Sequence, residues 1–178
     1  MILAALERGR RRPESRYAQL ATVRSDGRPA NRTVVVRGFL GESNHLSIVT
    51  DSRSKKYGEI AANPNVELCW YFAESREQFR LAGLALGDAV DSGARRSAWN
   101  GLSEGGRRSF FWPECGAPRA ADPEFRAPAE LSTPPANFVS LALKISAVDY
   151  LDLRPDPHAR VSFALNSDGL WDAAALNP

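Results

Sequence analysis

Residues 32–55 read Arg32-Thr33-Val34-Val35-Val36-Arg37-Gly38-Phe39-Leu40-Gly41-Glu42-Ser43-Asn44-His45-Leu46-Ser47-Ile48-Val49-Thr50-Asp51-Ser52-Arg53-Ser54-Lys55, and their pattern decides the fold class. The first arm, Arg32 to Phe39, is rich in β-branched residues, with an arginine at each end of its apolar run. The second arm, Leu46 to Thr50, alternates as a half-buried strand does. Gly41-Glu42-Ser43-Asn44 between them has turn chemistry. The stretch reads as a β-hairpin followed by a hydroxyl-rich, basic loop that opens a helix. On this reading two strands deliver Arg32, Arg37, Arg53 and Lys55 to one region beside Thr50, Ser52 and Ser54. Guanidinium, ammonium and hydroxyl donors next to a helix start suit a phosphate group. Solvated strand ends are the alternative account of the same charges.

Working outward, Tyr17 to Val23 reads as a preceding strand, and Asp26-Gly27 as a hairpin turn, so three antiparallel strands form a meander. Ile2 to Arg12 reads as a short helix ahead of them. Downstream, Lys56 to Ala62 has helical spacing, with Tyr57 and Ile60 at i and i+3, and Asn63-Pro64 stops it. Val66 to Phe72 is an apolar, aromatic strand, and Gln78 to Val90 a long one whose glycines suggest bulges. Ala94 to Leu102 and Ser103 to Phe111 read as helical pieces, the first anchored by Trp99. Residues 113–135 hold six prolines and few apolar residues, a long loop that is either a lid or a linker. Strands return at Phe138 to Ile145, continuing toward Leu151, then at Arg160 to Leu165 and at Leu170-Trp171. Many short strands with few helices predict a mainly β, small antiparallel barrel with helical decorations, one domain over residues 1–178.

Composition narrows the function classes. At 178 residues with 43% hydrophobic residues, the chain can bury a full core. A net charge of +2 creates no demand for nucleic acid. The run Arg8, Arg10, Arg11, Arg12 has no interleaved aromatic residue and reads as a solvated helix end. Cys69 and Cys115 lack C-x-x-C spacing, so no zinc site or disulfide framework is expected, and free thiols fit a reducing cytoplasm. No stretch reads as a signal peptide or a membrane span. Trp70, Trp99, Trp112 and Trp171 are expected to be core or interface anchors, with Trp99 and Trp112 flanking a cleft.

In order along the chain, Leu20 to Val23, Arg32 to Phe39, Thr50 to Lys55, Asn63-Pro64, Glu77 to Gly83, Phe111-Trp112-Pro113, Pro134 to Phe138 and Leu176-Asn177-Pro178 resemble the pyridoxamine 5′-phosphate oxidase-like, FMN-binding split-barrel family. The general FMN-binding branch is more similar than the oxidase proper. The resemblance implies an antiparallel split β-barrel holding FMN at a homodimer interface. It assigns the cofactor strand to Arg32, Thr33, Val34, Val35, Val36 and Arg37, and a second cofactor pair to Val49 and Thr50. Ser54 and Lys55, with Arg53 one place away, take the phosphate-binding basic pair. Gln78 and Arg160 reach the flavin ring edge, and His158 belongs to the substrate site. The side-chain chemistry agrees: Arg32, Arg53, Ser54 and Lys55 offer anion donors, and Gln78 and Arg160 offer donors that tune a flavin.

Three positions depart from the oxidase proper. Arg37 replaces the lysine that ends the cofactor strand and grips the substrate phosphate in the oxidase proper, so the resemblance makes Arg37, with His158, a candidate substrate-binding residue. Asp156 stands where the arginine of an Arg-x-His pair should be, and a carboxylate there disfavours a phosphorylated substrate. Leu151 replaces a flavin-contacting tryptophan, and the family's Tyr/Arg/Ser phosphate group has no counterpart beyond nearby Arg95 and Arg96. The expected function is therefore an FMN-dependent oxidoreductase acting on an unassigned small molecule by hydride transfer. Pyridoxamine-phosphate oxidation, a binding module without turnover, a haem protein and a deazaflavin reductase are the rivals. Only His45 and His158 are available as haem ligands.

Overall fold

The structure, a computed structural model, describes residues 1–87, 93–119, 121 and 125–178. Among them, nine strands form one antiparallel sheet: β1 (Tyr17–Val23), β2 (Pro29–Val35), β3 (Gly38–Phe39), β4 (His45–Asp51), β5 (Asn65–Phe72), β6 (Glu77–Gly87), β7 (Phe138–Asp152), β8 (Ala159–Leu165) and β9 (Trp171–Leu176). Helices α1 (Ile2–Arg8), α2 (Lys55–Ala62), α3 (Gly93–Asn100) and α4 (Glu104–Arg108) decorate it. The sheet path runs β2-β1-β5-β6-β7-β4-β3, with β8 paired to β7 and β9. A mainly β barrel with helical decorations is what the strand pattern predicts, and the split is what the family resemblance implies. The last residues of the expected long strand, 88–90, lie outside the described residues, as do 120 and 122–124 of the proline-rich segment.

The split originates in β7. Its fifteen residues exceed what one neighbour can cover. β6 pairs along one edge of it. On the other edge, β4 takes Phe138 to Lys144 and β8 takes Ala147 to Asp152. At Gly83 the β6–β7 register shifts. A Cβ there would sit 2.0 Å from the Lys144 carbonyl oxygen, so the expected bulge needs glycine.

The opening stretch is not one hairpin. β2 pairs with β1 along its whole length, Tyr17 opposite Val35 and Val23 opposite Pro29. Only Gly38 and Phe39 pair with β4, opposite Ser47 and Leu46. Between them the chain turns a corner: the Val36 N–H donates to the Arg16 carbonyl (2.8 Å) and the Arg37 N–H to the Ser47 carbonyl (2.7 Å). Gly38, at φ +138°, permits the turn into β3. The corner joins the two ends of the sheet path and closes the barrel, so β2 and β4 are neighbours by closure rather than members of a meander.

The barrel is filled by the inward residues of each strand, including the fully buried Leu20, Leu46, Ile48, Leu68, Trp70 and Leu143. A second cluster packs Trp99 and Leu102, in and just after α3, on Phe138. The Trp99 and Phe138 ring centroids lie 5.0 Å apart, and the Trp99 indole N–H donates to the Leu131 carbonyl at 2.8 Å. This cluster fixes the segment after α3 against the start of β7, beside the end of β4.

Candidate functional site

β4 ends at Asp51, and Ser54 precedes the first turn of α2. The side chains of Thr50, Asp51, Arg53 and Ser54 brace this connection. Ser54 Oγ donates to the Asp51 carbonyl (2.7 Å) and lies 3.2 Å from Thr50 Oγ1. Arg53 binds the Asp51 carboxylate side-on, Nε to Oδ1 at 3.0 Å and Nη2 to Oδ2 at 2.7 Å. The same guanidinium donates to the carbonyls of Trp112 and Phe110. Asn137 Nδ2 donates to Asp51 Oδ2 (2.7 Å) and to the Phe110 carbonyl (2.9 Å). Burial pushes the Asp51 carboxyl up, but donation from Arg53 and Asn137 outweighs it and holds the group below the usual carboxylate range. Arg53 and Asp51 thus buckle the strand end to the segment 110–112.

That buckle forms one wall of a cavity of about 770 Å³, within the usual size range of small-ligand sites. Its floor is Val49, Thr50 and Lys56; its far wall is Trp112, Cys115 and Arg119. Trp112 and Phe125 meet edge to face at 5.6 Å, and Arg119 lies over the Phe125 ring. A smaller cavity of about 300 Å³ adjoins along β2 and is lined by Thr33, Val34 and Val35. Arg37, Val49 and Lys56 line both.

Two cations in this joint space stand out. Arg37 makes no side-chain ion pair with any described residue, and burial followed by the nearby Arg16 charge pulls its pKa down. Lys56 reaches only Ser54 Oγ, at 3.4 Å, among the described residues, and burial pulls its pKa down as well. Both gain from an anion.

The structure therefore brings Thr33, Val34, Val35, Arg37, Val49, Thr50 and Arg53 together, with Ser54 bonded just behind them. It places the remaining expected residues elsewhere. Arg32 lines neither cavity and binds Glu59, Thr22 and the Leu20 carbonyl. Val36 is buried in the barrel core. Lys55 is exposed and lines neither cavity, whereas Lys56, absent from the expected set, lines both. Asp51 and Asn137 were also absent from it. Arg95 is buried and donates to the Phe138 and Pro135 carbonyls, so it braces α3. Trp99 is core; Trp112 faces the cavity.

Gln78 and Arg160 lie on the outer face of the barrel. Gln78, Leu151 and Arg160 occupy one cross-strand row of β6, β7 and β8. The next row runs from Thr33 through Gln19, Cys69, Arg80 and Asp149 to Ser162. Thr33 and Val35 thus share a continuous outer face with Gln78 and Arg160, but from opposite ends of it. Along β7, Leu151, which stands opposite both Gln78 and Arg160, lies eleven residues (151 − 140) beyond Ser140, the partner of Val49, roughly 36 Å of strand at the usual rise. His158 is exposed, directly ahead of β8.

Comparisons with known proteins place the fold in a family. The family model of the pyridoxamine 5′-phosphate oxidase FMN-binding domain matches residues 1–86. A solved pyridoxamine 5′-phosphate oxidase-related, FMN-binding protein from Nostoc punctiforme is 41% identical, with a TM-score of 0.94 over 99% of this chain and 95% of that one. PhzG from Burkholderia lata, at 20% identity and a TM-score of 0.78 over 99% of this chain and 88% of that one, shares the fold. Pyridoxine/pyridoxamine 5′-phosphate oxidase 2 of Arabidopsis thaliana is 32% identical over 100% of this chain and 95% of its own length. The chain belongs to the pyridoxamine 5′-phosphate oxidase-like FMN-binding family.

Proposed function

We propose that this protein is an FMN-dependent oxidoreductase that works as a homodimer on a small-molecule substrate. The observation that carries the reading is the joint cavity at the β4–α2 turn. It offers a phosphate two cations without an ion-pair partner among the described residues, Arg37 and Lys56, beside the Thr50 hydroxyl. It also runs along β2, whose residues Thr33 to Val35 line the adjoining space. The donor set fits the phosphate of FMN, and the volume fits a ligand of that size.

The homodimer reading rests on the separation of the two donor groups. Gln78 and Arg160 pair with the far end of β7 and are too distant from the β4–α2 turn to reach a ligand held by Lys56 of the same chain. A second copy docked on the outer face supplies them to the first. FMN, when bound, supplies hydride transfer; the protein supplies position and electrostatics. Arg37 and Lys56 hold the anion, Arg53 and Asp51 keep the wall in place, and Gln78 and Arg160 of the second copy direct hydrogen bonds to the ring edge. The segment 112–119 shields one side from water. Free thiols at Cys69 and Cys115 fit a reducing cytoplasm.

The test is a titration with FMN and with riboflavin, which lacks the phosphate, followed by flavin fluorescence. FMN binds and riboflavin binds far more weakly. Lys56→Ala weakens FMN binding by about 10- to 100-fold, the worth of one charge-assisted contact. Lys55→Ala leaves it nearly unchanged. Equal binding of FMN and riboflavin sinks the phosphate assignment. Sedimentation reports the dimer.

A second reading, oxidation of pyridoxamine or pyridoxine 5′-phosphate, draws on the name and the full-length similarity of the Arabidopsis relative. Asp156 argues against it, because its carboxylate lies two residues before His158, where a phosphorylated substrate needs a cation. Turnover of pyridoxamine 5′-phosphate that Asp156→Arg raises would leave this as an incidental activity; efficient turnover by the unaltered chain would make it the function.

A further inference from the structure

On the outer face of the barrel four charged side chains alternate in sign across four neighbouring strands: Glu67 on β5, Arg80 on β6, Asp149 on β7 and Arg160 on β8. Arg80 Nε donates to Glu67 Oε1 at 2.7 Å, and its Nη1 lies 3.8 Å from Asp149 Oδ2. Arg160 binds Asp149 side-on, Nε to Oδ1 at 3.0 Å and Nη2 to Oδ2 at 2.6 Å. The Arg160 hydrogen bonds come first in holding the Asp149 carboxyl below its usual range. Arg80 and Asp149 are direct cross-strand partners, so the pairing is set by sheet register.

Arg160 alone is poorly suited to aim a hydrogen bond. It stands on an open face, and its long side chain has many rotamers to lose. The side-on grip of Asp149 removes that freedom. It consumes the Nε–H and one Nη2–H, which leaves three of the five guanidinium donors directed away from the carboxylate. Arg80, itself tied to Glu67, keeps Asp149 from swinging. In the neighbouring row, Gln78 and Arg160 flank Leu151 two strand steps apart, roughly 10 Å, and present donors on either side of an apolar residue.

We propose that Asp149 is a positioning residue that aims the Arg160 guanidinium at the flavin bound by the second copy. The assignment rests on the FMN reading above. The experiment measures the FMN dissociation constant, the visible spectrum of the bound flavin and the melting temperature of the ligand-free protein. It compares the unaltered chain, Asp149→Asn, Arg160→Gln and the double variant. Asn keeps the shape of Asp149 and removes its charge. Asp149→Asn weakens FMN binding by about 3- to 10-fold, as expected when a guanidinium keeps its charge but loses its direction. It shifts the bound-flavin spectrum as Arg160→Gln does, and adds nothing once Arg160 is already Gln. A purely structural Asp149 lowers the melting temperature but leaves the spectrum alone and weakens binding equally in both backgrounds; that result overturns the assignment. An unaltered chain that binds no FMN overturns the flavin reading and this assignment with it. An unaltered chain that binds FMN while Asp149→Asn matches it overturns this assignment alone.

Discussion

Arg32 and Glu59 form an ion pair, Nη2 to Oε2 at 2.7 Å, into which Thr22 Oγ1 donates at 2.6 Å. The pair ties α2 to β1 and β2 from behind the site, one helical turn after Lys56. Arg32 therefore braces the helix that carries Lys56. The Thr22 hydrogen bond comes first in holding the Glu59 carboxyl below its usual range, ahead of the Arg32 charge. Both side chains are largely shielded, so losing either partner strands the other. Arg32→Ala and Glu59→Gln each cost about 2 kcal/mol in urea denaturation, and the double variant costs clearly less than their sum. Their effect on FMN affinity is smaller than that of Lys56→Ala. An Arg32→Ala chain of unaltered stability that no longer binds FMN would instead make Arg32 a direct ligand.

Lys56 predicts a pH dependence. Burial favours its neutral form, so its pKa in the ligand-free protein lies below that of an ordinary lysine. A bound phosphate favours the charged form and pulls the pKa back up. FMN binding therefore takes up a proton once the pH exceeds the ligand-free pKa, and affinity falls as the pH rises further. FMN dissociation constants measured from pH 7 to 10 show this decline. Lys56→Arg removes it, because a guanidinium stays charged over that range. An identical decline in Lys56→Arg would assign the titration to another group.

Which of these features the sequence discloses follows from range. Period-2 alternation and apolar runs locate β1, β4, β5, β6, β7 and β8, but they merge β2 and β3 into one arm and disclose only the start of β9, whose residues are all exposed. The corner at Val36–Arg37 is hidden, because three successive valines carry an unbroken β-branched run up to it and only the φ of Gly38 marks the turn. Lys55 and Lys56 are adjacent and chemically equal, so helical phase alone decides which faces the cavity. The carboxylate partner of Arg32 sits in the next helix, and nothing local to Arg32 reveals that its charge is already used. Asn137 and Asp51 meet across 86 positions of sequence, joined by β4–β7 pairing that a local pattern does not encode. The family resemblance groups Gln78 and Arg160 with the β2 residues because it compares ligands, whereas one chain separates them around the barrel.

Gly83 tests the split of the barrel. A Cβ at this position meets the Lys144 carbonyl oxygen at 2.0 Å and the Ile145 Cα at 2.9 Å, both backbone atoms that cannot swing aside. The β6–β7 bulge must open to admit it. Gly83→Ala costs about 3 kcal/mol, at the upper end of ordinary overpacking, and lowers the yield of folded protein. Gly58→Ala is the control. Gly58 lies in α2, and a Cβ on it would meet nothing within 4 Å, so alanine there stabilises by about 0.5–1 kcal/mol. Equal stabilities for the two variants would mean that the bulge is not required.

Tyr150 and Asp152 set opposite limbs of the stability profile. Burial, followed by the Glu77 carboxylate that accepts from its hydroxyl at 2.8 Å, pushes the Tyr150 phenol up to about 12. A phenol raised above its unfolded value near 10 contributes fully below that pH, and the contribution is lost as the pH climbs through 12. Asp152 is held down to about 2, first by its hydrogen bonds from Arg154. A carboxylate depressed below its unfolded value near 4 contributes above that pH, and the contribution is lost as the pH falls through 2. Tyr150→Phe therefore flattens the alkaline limb between pH 10 and 12 and removes the latest tyrosinate transition from the absorbance titration. Its stability at neutral pH falls by about 1 kcal/mol, because buried Glu77 loses a donor. Asp152→Asn flattens only the acid limb between pH 4 and 2. Glu77 keeps two cationic contacts, from Arg154 at 3.6 Å and from Arg8, which docks α1 on the barrel, so Tyr150→Phe leaves the fold intact. An alkaline limb parallel to that of the unaltered chain would count against the buried phenol.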